Sequence, residues 1–138
     1  MKPCFADTSY FVALVSPGDV NHKRANKLAD VFRGPIVTSA YVIVEVGNFF
    51  SAPISRQKFK GFMDVVDSDP RTQIIPAASS LLRRAIDLFV ARHDKAWSLT
   101  DCTSFIIMRD QGLRDALTAD HHFEQAGFTV LLKNLSST

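Results

Sequence analysis

"PCFADTSYFVALVS", residues 3–16, changes character at its centre. Pro3 to Asp7 is short, apolar and closed by an acid, which reads as a buried strand. Thr8 to Ser16 is too long and too continuously apolar to extend that strand. It opens on Asp7, Thr8 and Ser9, residue types that start helices by accepting hydrogen bonds from unpaired first-turn amides. A strand that turns directly into a helix is the repeating unit of an α/β sheet, and the rest of the chain keeps to that alternation. After the "SPGD" turn (16–19), "VNHKRANKLADVFR" (20–33) spaces Val20, Ala25, Leu28, Val31 and Phe32 as one face of a surface helix. "GPIVTS" (34–39) is a strand with a cap and "AYVIVEVGNFF" (40–50) the helix behind it. "RQKFKGFMDVVD" (56–67) is a further helix, "TQIIP" (72–76) a third strand and "SSLLRRAIDLFVARHD" (79–94) the next helix. A helix opening at "SLTDCTSF" (98–105), a strand near "DALT" (115–118), a helical turn "DHHFEQAG" (120–127) and a last strand "FTVLL" (128–132) complete the order. The tail "KNLSST" (133–138) reads as frayed. The expected fold is α/β, a mainly parallel central sheet sandwiched between two layers of helices.

The 138 residues suit a single domain, 1–138, with no separate recognition module. At 46% hydrophobic and 22% charged, the chain is neither disordered nor fibrous. No apolar run approaches the roughly 20 residues that span a bilayer, so no membrane association is expected. The first residues are interrupted by Asp7, Thr8 and Ser9 where a secretory signal would stay apolar. Cys4 and Cys102 lack the spacing of a zinc site or disulfide framework, which points to a reducing, cytoplasmic setting. A net charge of +2 permits a polyanionic partner without announcing one. Phosphate-binding glycine motifs, GxGxxG or GxxxxGK[ST], are absent.

In an open parallel sheet, ligands bind outside the carboxyl ends of the strands, so the acids there are the first candidates for chemistry. Asp7 and Asp120 each follow a strand, and each also has a plain reading as a helix cap. Asp101 lies third in its helix if Ser98 is the cap, where a carboxylate gains about 0.3–1 kcal/mol from the helix dipole. Glu45 is harder to explain structurally. Helical spacing sets it on a face with Tyr41, Val42, Phe49 and Ala52, so it needs a cation, a proton or a buried salt bridge. Four converging carboxylates repel one another unless a divalent cation holds them. Oxygen donors without Cys or His favour a hard ion, Mg²⁺ or Mn²⁺, of the kind that supports phosphodiester hydrolysis.

Taken in order and spacing, "FADTSYFVAL" (5–14), "VTSAYVIVEVGNFFS" (37–51), "SLTDCTSFIIMRDQGL" (98–113) and "ALTADHHFEQAGF" (116–128) resemble the signature blocks of the PIN-domain ribonucleases. The likeness is to the VapC-type toxins of toxin–antitoxin modules, and it runs from about residue 3 to residue 132. It implies a PIN-like three-layer α/β/α sandwich and a metal-dependent endoribonuclease that inhibits translation or growth. Asp7, Glu45 and Asp101 match the three acids that hold Mg²⁺ or Mn²⁺, and Asp120 the more variable fourth. Thr8 and Ser9 match the polar pair behind the first acid, with Ser9 suited to orient it, and Thr118 is a supporting hydrogen-bonding position. RNA as substrate, a cognate antitoxin and a homodimer follow from the same resemblance. Cys102 departs from it, standing where a small residue such as alanine is common. Two other classes compete: an RNA-binding or interaction module whose acids are structural, and a receiver-type phosphoacceptor. The latter needs two adjacent acids after the first strand and a late lysine that the chain does not supply.

Other residues carry both a sharp and a plain reading. His22, His93, His121 and His122 sit in polar helical contexts, and a metal-activated water needs no histidine base. Arg83, Arg84, Arg92 and Lys95, like Arg56, Lys58 and Lys60, fit either RNA phosphates or a solvated helix face. Trp97 fits a stacked base or a core contact. Of the 11 phenylalanines, Phe49, Phe50, Phe59 and Phe62, with Met63, fill the core or line a groove for an antitoxin helix or a second copy.

Overall fold

A computed structural model describes residues 1–134. Five strands form one all-parallel sheet: β1 (Cys4–Ala6), β2 (Ile36–Ser39), β3 (Thr72–Ile75), β4 (Asp115–Leu117) and β5 (Thr129–Val130), in the spatial order β3-β2-β1-β4-β5. Seven α-helices connect them: α1 (Thr8–Val15), α2 (His22–Val31), α3 (Ala40–Phe49), α4 (Arg56–Ser68), α5 (Ser79–Ala91), α6 (Leu99–Gln111) and α7 (His121–Gln125). Because parallel crossovers are right-handed, connections stepping from β1 to β3 lay α1–α4 on one face, and those stepping back to β4 and β5 lay α5–α7 on the other. This is the expected three-layer sandwich.

The order reverses at β1, which pairs Phe5 with Val37 of β2 on one side and Ala6 with Leu117 of β4 on the other. A crevice opens at such a reversal, beyond the carboxyl ends of the central strands. Every residue of β1 and β2 is buried, as a parallel sheet covered on both faces requires.

The largest single contribution to the second helical layer is α6, in which every residue from Asp101 to Met108 is buried. Its polar members are satisfied locally: Thr103 Oγ1 and Ser104 Oγ both donate to the Thr100 carbonyl, at 2.6 and 3.2 Å. Phe105 stands at the centre of an aromatic cluster, 4.9 Å from Trp97 and 5.0 Å from Phe123 between ring centroids. The helix stops at Gly112, whose φ of +68° is a left-handed conformation open to glycine, and the Leu113 amide then donates back to Met108 at 2.8 Å.

Several expected helices are shorter at their ends, and the C-terminal boundaries move most. The last strand shortens to Thr129–Val130, since Leu132 and Lys133 turn into a short 3-10 segment, Leu132–Asn134. Lys133 is tied by an ion pair to Glu124 at 2.7 Å, so that part of the tail is not frayed. Residues 135–138 of the same tail lie outside the described residues.

Candidate metal centre

Asp7 is delivered by the first strand-to-helix turn and is 3% exposed. It occupies the cap position of α1 without making a capping hydrogen bond, so the helix-cap reading does not account for its carboxylate. The register of β1 on β4 brings it to Thr118: the Asp7 amide donates to the Leu117 carbonyl at 3.1 Å, and Thr118 Oγ1 donates to Asp7 Oδ2 at 2.9 Å. Ser9 Oγ donates to the same oxygen at 3.3 Å and lies 2.8 Å from Thr118 Oγ1. Ser9 and Thr118 therefore both hydrogen-bond the Asp7 carboxylate. Thr8 is different. Its Oγ1 is buried with no hydrogen-bond partner, in the lining of the same cleft.

Asp101 and Asp120 serve as caps in full. Ser98 Oγ accepts from the Asp101 amide at 2.9 Å and Asp101 Oδ2 accepts from the Ser98 amide at 3.1 Å, a closed capping box in which Asp replaces the usual Glu. Asp120 Oδ1 accepts from the His122 amide at 2.9 Å at the start of α7. Neither cap uses up its carboxylate. Among the described residues, Oδ1 of Asp101 and Oδ2 of Asp120 make no hydrogen bond, so each of these acids is held by one oxygen and keeps another for a ligand, while Asp7 is held through Oδ2 and also feels the Thr8 amide.

Glu45 joins these three in a cleft of about 430 Å³, lined also by Thr8, Ser9, Phe49, Ser98 and His122. Its setting differs from the sequence reading. Glu45 is half-buried at the rim of the cleft rather than embedded in the core, because α3 also turns Val44 and Phe49 outward, 62% and 61% exposed. It makes no ion pair or hydrogen bond among the described residues, so a buried salt bridge does not explain it.

The electrostatics follow from this crowding. Burial pushes the Asp7 carboxyl up from 3.8 to about 7; the Thr118 hydroxyl pulls it down, Asp101 raises it, the Thr8 amide lowers it and Glu45 raises it. Asp101 is also raised, mainly by burial and further by Asp120, against the lowering influence of the Ser98 amide and His122. A pocket that strains two of its own carboxylates toward the proton offers a large gain to a cation that relieves them. Anchored acids with free oxygens and an unpartnered buried Thr8 hydroxyl suit a hard divalent ion in this cleft, and among the described residues the donor atoms that already lie within 4.8 Å of one another are those of Asp120, His121 and His122. Thr118→Val keeps the shape but removes the hydroxyl that holds Asp7. Loss of an outer hydrogen bond of this kind is expected to weaken ion binding by about 10–100-fold with the fold intact, measurable by calorimetric titration with Mn²⁺.

From sequence His122 is one of four histidines in polar helical contexts, and that context does not set it apart from the others. Its Nδ1 lies 3.1 Å from Asp101 Oδ2 and 3.4 Å from Asp120 Oδ1, inside the acid cluster. The available signal was its place two residues after a strand-end acid, since a helix as short as α7 shows no periodicity to reveal its inward face. His121 faces solvent, and His22 is structural, its Nδ1 2.7 Å from the Ala13 carbonyl.

Several basic and aromatic candidates resolve into structural contacts. Arg84 forms a bidentate pair with Asp110, at 2.6 and 2.9 Å. Arg92 pairs with Asp94 and covers the Trp97 ring at 4.8 Å. Trp97 is 4% exposed and donates to Gln125 Oε1 at 3.0 Å, which places it in the core and removes it as a base-stacking platform. Cys102 is fully buried beneath the Asp101 turn, and burial first, then Asp101, pushes its thiol up to about 11. A neutral, enclosed thiol is inert, so packing absorbs this departure from the family pattern.

Comparison with known proteins agrees with this architecture. Two curated proteins, from the CDC 1551 / Oshkosh and ATCC 25618 / H37Rv strains of Mycobacterium tuberculosis and both named 23S rRNA-specific endonuclease VapC20, are 27% identical over 125 residues, 90% of this chain and 94% of theirs. The crystal structure of M. tuberculosis VapC20, described as a sarcin-ricin loop cleaving toxin, superposes with a TM-score of 0.84 at 24% identity, covering 93% of this chain and 97% of that one. FitAcB from Neisseria gonorrhoeae gives 0.70 at 16% identity, covering 96% and 99%. VapBC2 from Rickettsia felis, bound to a DNA fragment from their promoter, gives 0.65 at 14% identity, covering 94% and 96%. The PIN domain family matches residues 4–129, nearly the whole of the described chain and all four acids of the cleft, and the chain belongs to that family.

Proposed function

We propose that this chain, taken as one domain over residues 1–138, is a metal-dependent endoribonuclease and the toxin of a toxin–antitoxin pair. The observation that carries the reading is the cleft at the β1/β4 reversal, where Asp101 and Asp120 are each held through one oxygen and keep the other free, Asp7 is fixed by Thr118 and Ser9, and Glu45 stands at the rim. These four acids are the proposed ligands of Mg²⁺ or Mn²⁺. A divalent ion held there supplies an activated water and offsets charge on the phosphate oxygens.

The protein's part is positional. Ser9 and Thr118 fix the Asp7 carboxylate, and the capping box fixes Asp101 at the first turn of α6. Thr8 Oγ1 remains as a donor in the cleft wall. The name of the curated relatives supports RNA as the substrate class and makes 23S ribosomal RNA the first substrate to test. Purified protein with Mn²⁺ or Mg²⁺ is expected to cut ribosomal RNA at defined 5′ ends, to fall to background with EDTA, and to recover when the ion is returned. Tight binding of RNA that stays intact under those conditions would instead identify a binding module with structural acids.

The antitoxin partner rests on the description of VapC20 as a toxin and on an exposed apolar surface beside the cleft. Val44 and Phe49 of α3, Ile54 of the 3-10 turn Pro53–Ser55 and Val65 of α4 are all turned to solvent. Phe49 belongs both to that surface and to the cleft lining, so a partner seated there reaches the acids. A homodimer is proposed as well, on resemblance to the toxin group. No helix among the described residues is long and apolar enough to cross a membrane. Two free, buried cysteines suit the proposed reducing cytoplasm.

A further inference from the structure

We propose that His122 binds the divalent ion of this cleft directly through Nδ1 and biases the site toward a first-row transition ion, with Mn²⁺ as the probe, over Mg²⁺. The proposal rests on the reading of the cleft as a divalent-ion centre. Nδ1 faces two carboxylates at once, 3.1 Å from Asp101 Oδ2 and 3.4 Å from Asp120 Oδ1. A ring nitrogen carries at most one proton, so it cannot form a strong hydrogen bond to both. The Asp120 carboxylate, with Oδ2 still free, and the ring nitrogen lie close enough to share one ion, since two ligands at right angles, each about 2.1 Å from a metal, are about 3.0 Å apart.

The backbone holds the ring in place. Asp120 accepts from the His122 amide at 2.9 Å, which fixes the first turn of α7 and sets His122 against the cleft while His121 points to solvent. Donor atoms of Asp120, His121 and His122 lie within 4.8 Å of one another, so this end of the cleft brings nitrogen to what is otherwise an oxygen site. Imidazole is a good ligand for transition ions, whereas Mg²⁺ keeps to oxygen donors and retains its waters. The nitrogen therefore separates two ions that four carboxylates alone treat more alike.

The test uses the full chain at one fixed pH. Mn²⁺ binding is followed by electron paramagnetic resonance with Mg²⁺ as competitor, and bound Mn²⁺ is examined for ¹⁴N modulation of its electron spin echo. The parent is expected to show ¹⁴N modulation and to prefer Mn²⁺ by about tenfold or more. His121→Ala should retain both properties. His122→Ala should lose the modulation and most of the preference, and His122→Asn gives the same reading if the alanine variant fails to fold. Modulation absent from the parent, or persisting in the His122 variants, would overturn direct ligation. So would a parallel loss of affinity for both ions, which would reduce His122 to a positioning role on Asp101. Asp7→Asn separates the two readings: Mn²⁺ affinity unchanged in that variant, with modulation present, would leave His122 as a ligand and sink the four-acid centre instead.

Discussion

Asp101→Asn is expected to lower metal-dependent RNA cleavage by about a thousandfold or more while leaving the protein folded, the scale seen when a preorganised electrostatic group is removed from an active site. The argument depends on the two jobs that Asp101 performs. As a cap it needs only an oxygen to accept from the Ser98 amide, and an asparagine carbonyl does that. As a proposed metal ligand it needs negative charge, which asparagine lacks. Single-turnover cleavage and thermal unfolding on the same sample therefore come apart. Asp101→Ala, by contrast, should lose cleavage and also about 1 kcal/mol of stability from the broken capping box. Cleavage by Asp101→Asn within threefold of the parent would move the chemistry out of this cleft.

The second large effect concerns stability. Asp7→Asn should make the metal-free protein more stable at pH 8, by up to about 4 kcal/mol if the carboxyl titrates near 7 when folded and near 3.8 when unfolded. Between those values the folded state keeps a proton that the unfolded chain has released, so stability declines as pH rises from about 4 to about 7 and stays low above it. Asparagine cannot ionise and escapes that decline, although it can still accept from Thr118 and Ser9. The gain over the parent should shrink toward zero near pH 4. Added Mn²⁺ should stabilise the parent more than the variant, because the variant has lost one of the four charges proposed to bind the ion. Chemical denaturation across pH, with and without Mn²⁺, reads both effects. A variant no more stable than the parent at pH 8 would mean that Asp7 is not strained by its burial.

Much of this site was legible without coordinates because strand ends are marked by local chemistry. The turn at Asp7, the cap at Ser98 and the acid at Asp120 are each visible within a few residues. Glu45 was placed correctly on its helix but given the wrong depth. Nearly every residue around it is apolar, so periodicity could not say which side of α3 faces outward, and the exposed Val44 and Phe49 show that the outward side is apolar too. Such a surface reads as core from sequence and is exposed in the fold. Sequence does not set His122 apart from the other histidines, for a different reason. Its contacts with Asp101 span 21 residues and depend on how α7 docks against the start of α6. The buried Thr103 and Ser104 were equally hidden, since their bonds to Thr100 become visible only when the helix is built.

The hydrogen bond between Thr118 and Asp7 joins positions 111 residues apart. During synthesis, β1, β2 and β3 emerge with Asp7 and Glu45, while Asp101, Thr118 and Asp120 are still to come. A chain of this order can assemble much of its sheet early and still lack a working centre until β4 slides in beside β1. For a nuclease proposed to attack ribosomal RNA, the last pairing event is a delay built into biogenesis. On the proposed reading, the nascent chain carries no complete cleft until that pairing is made.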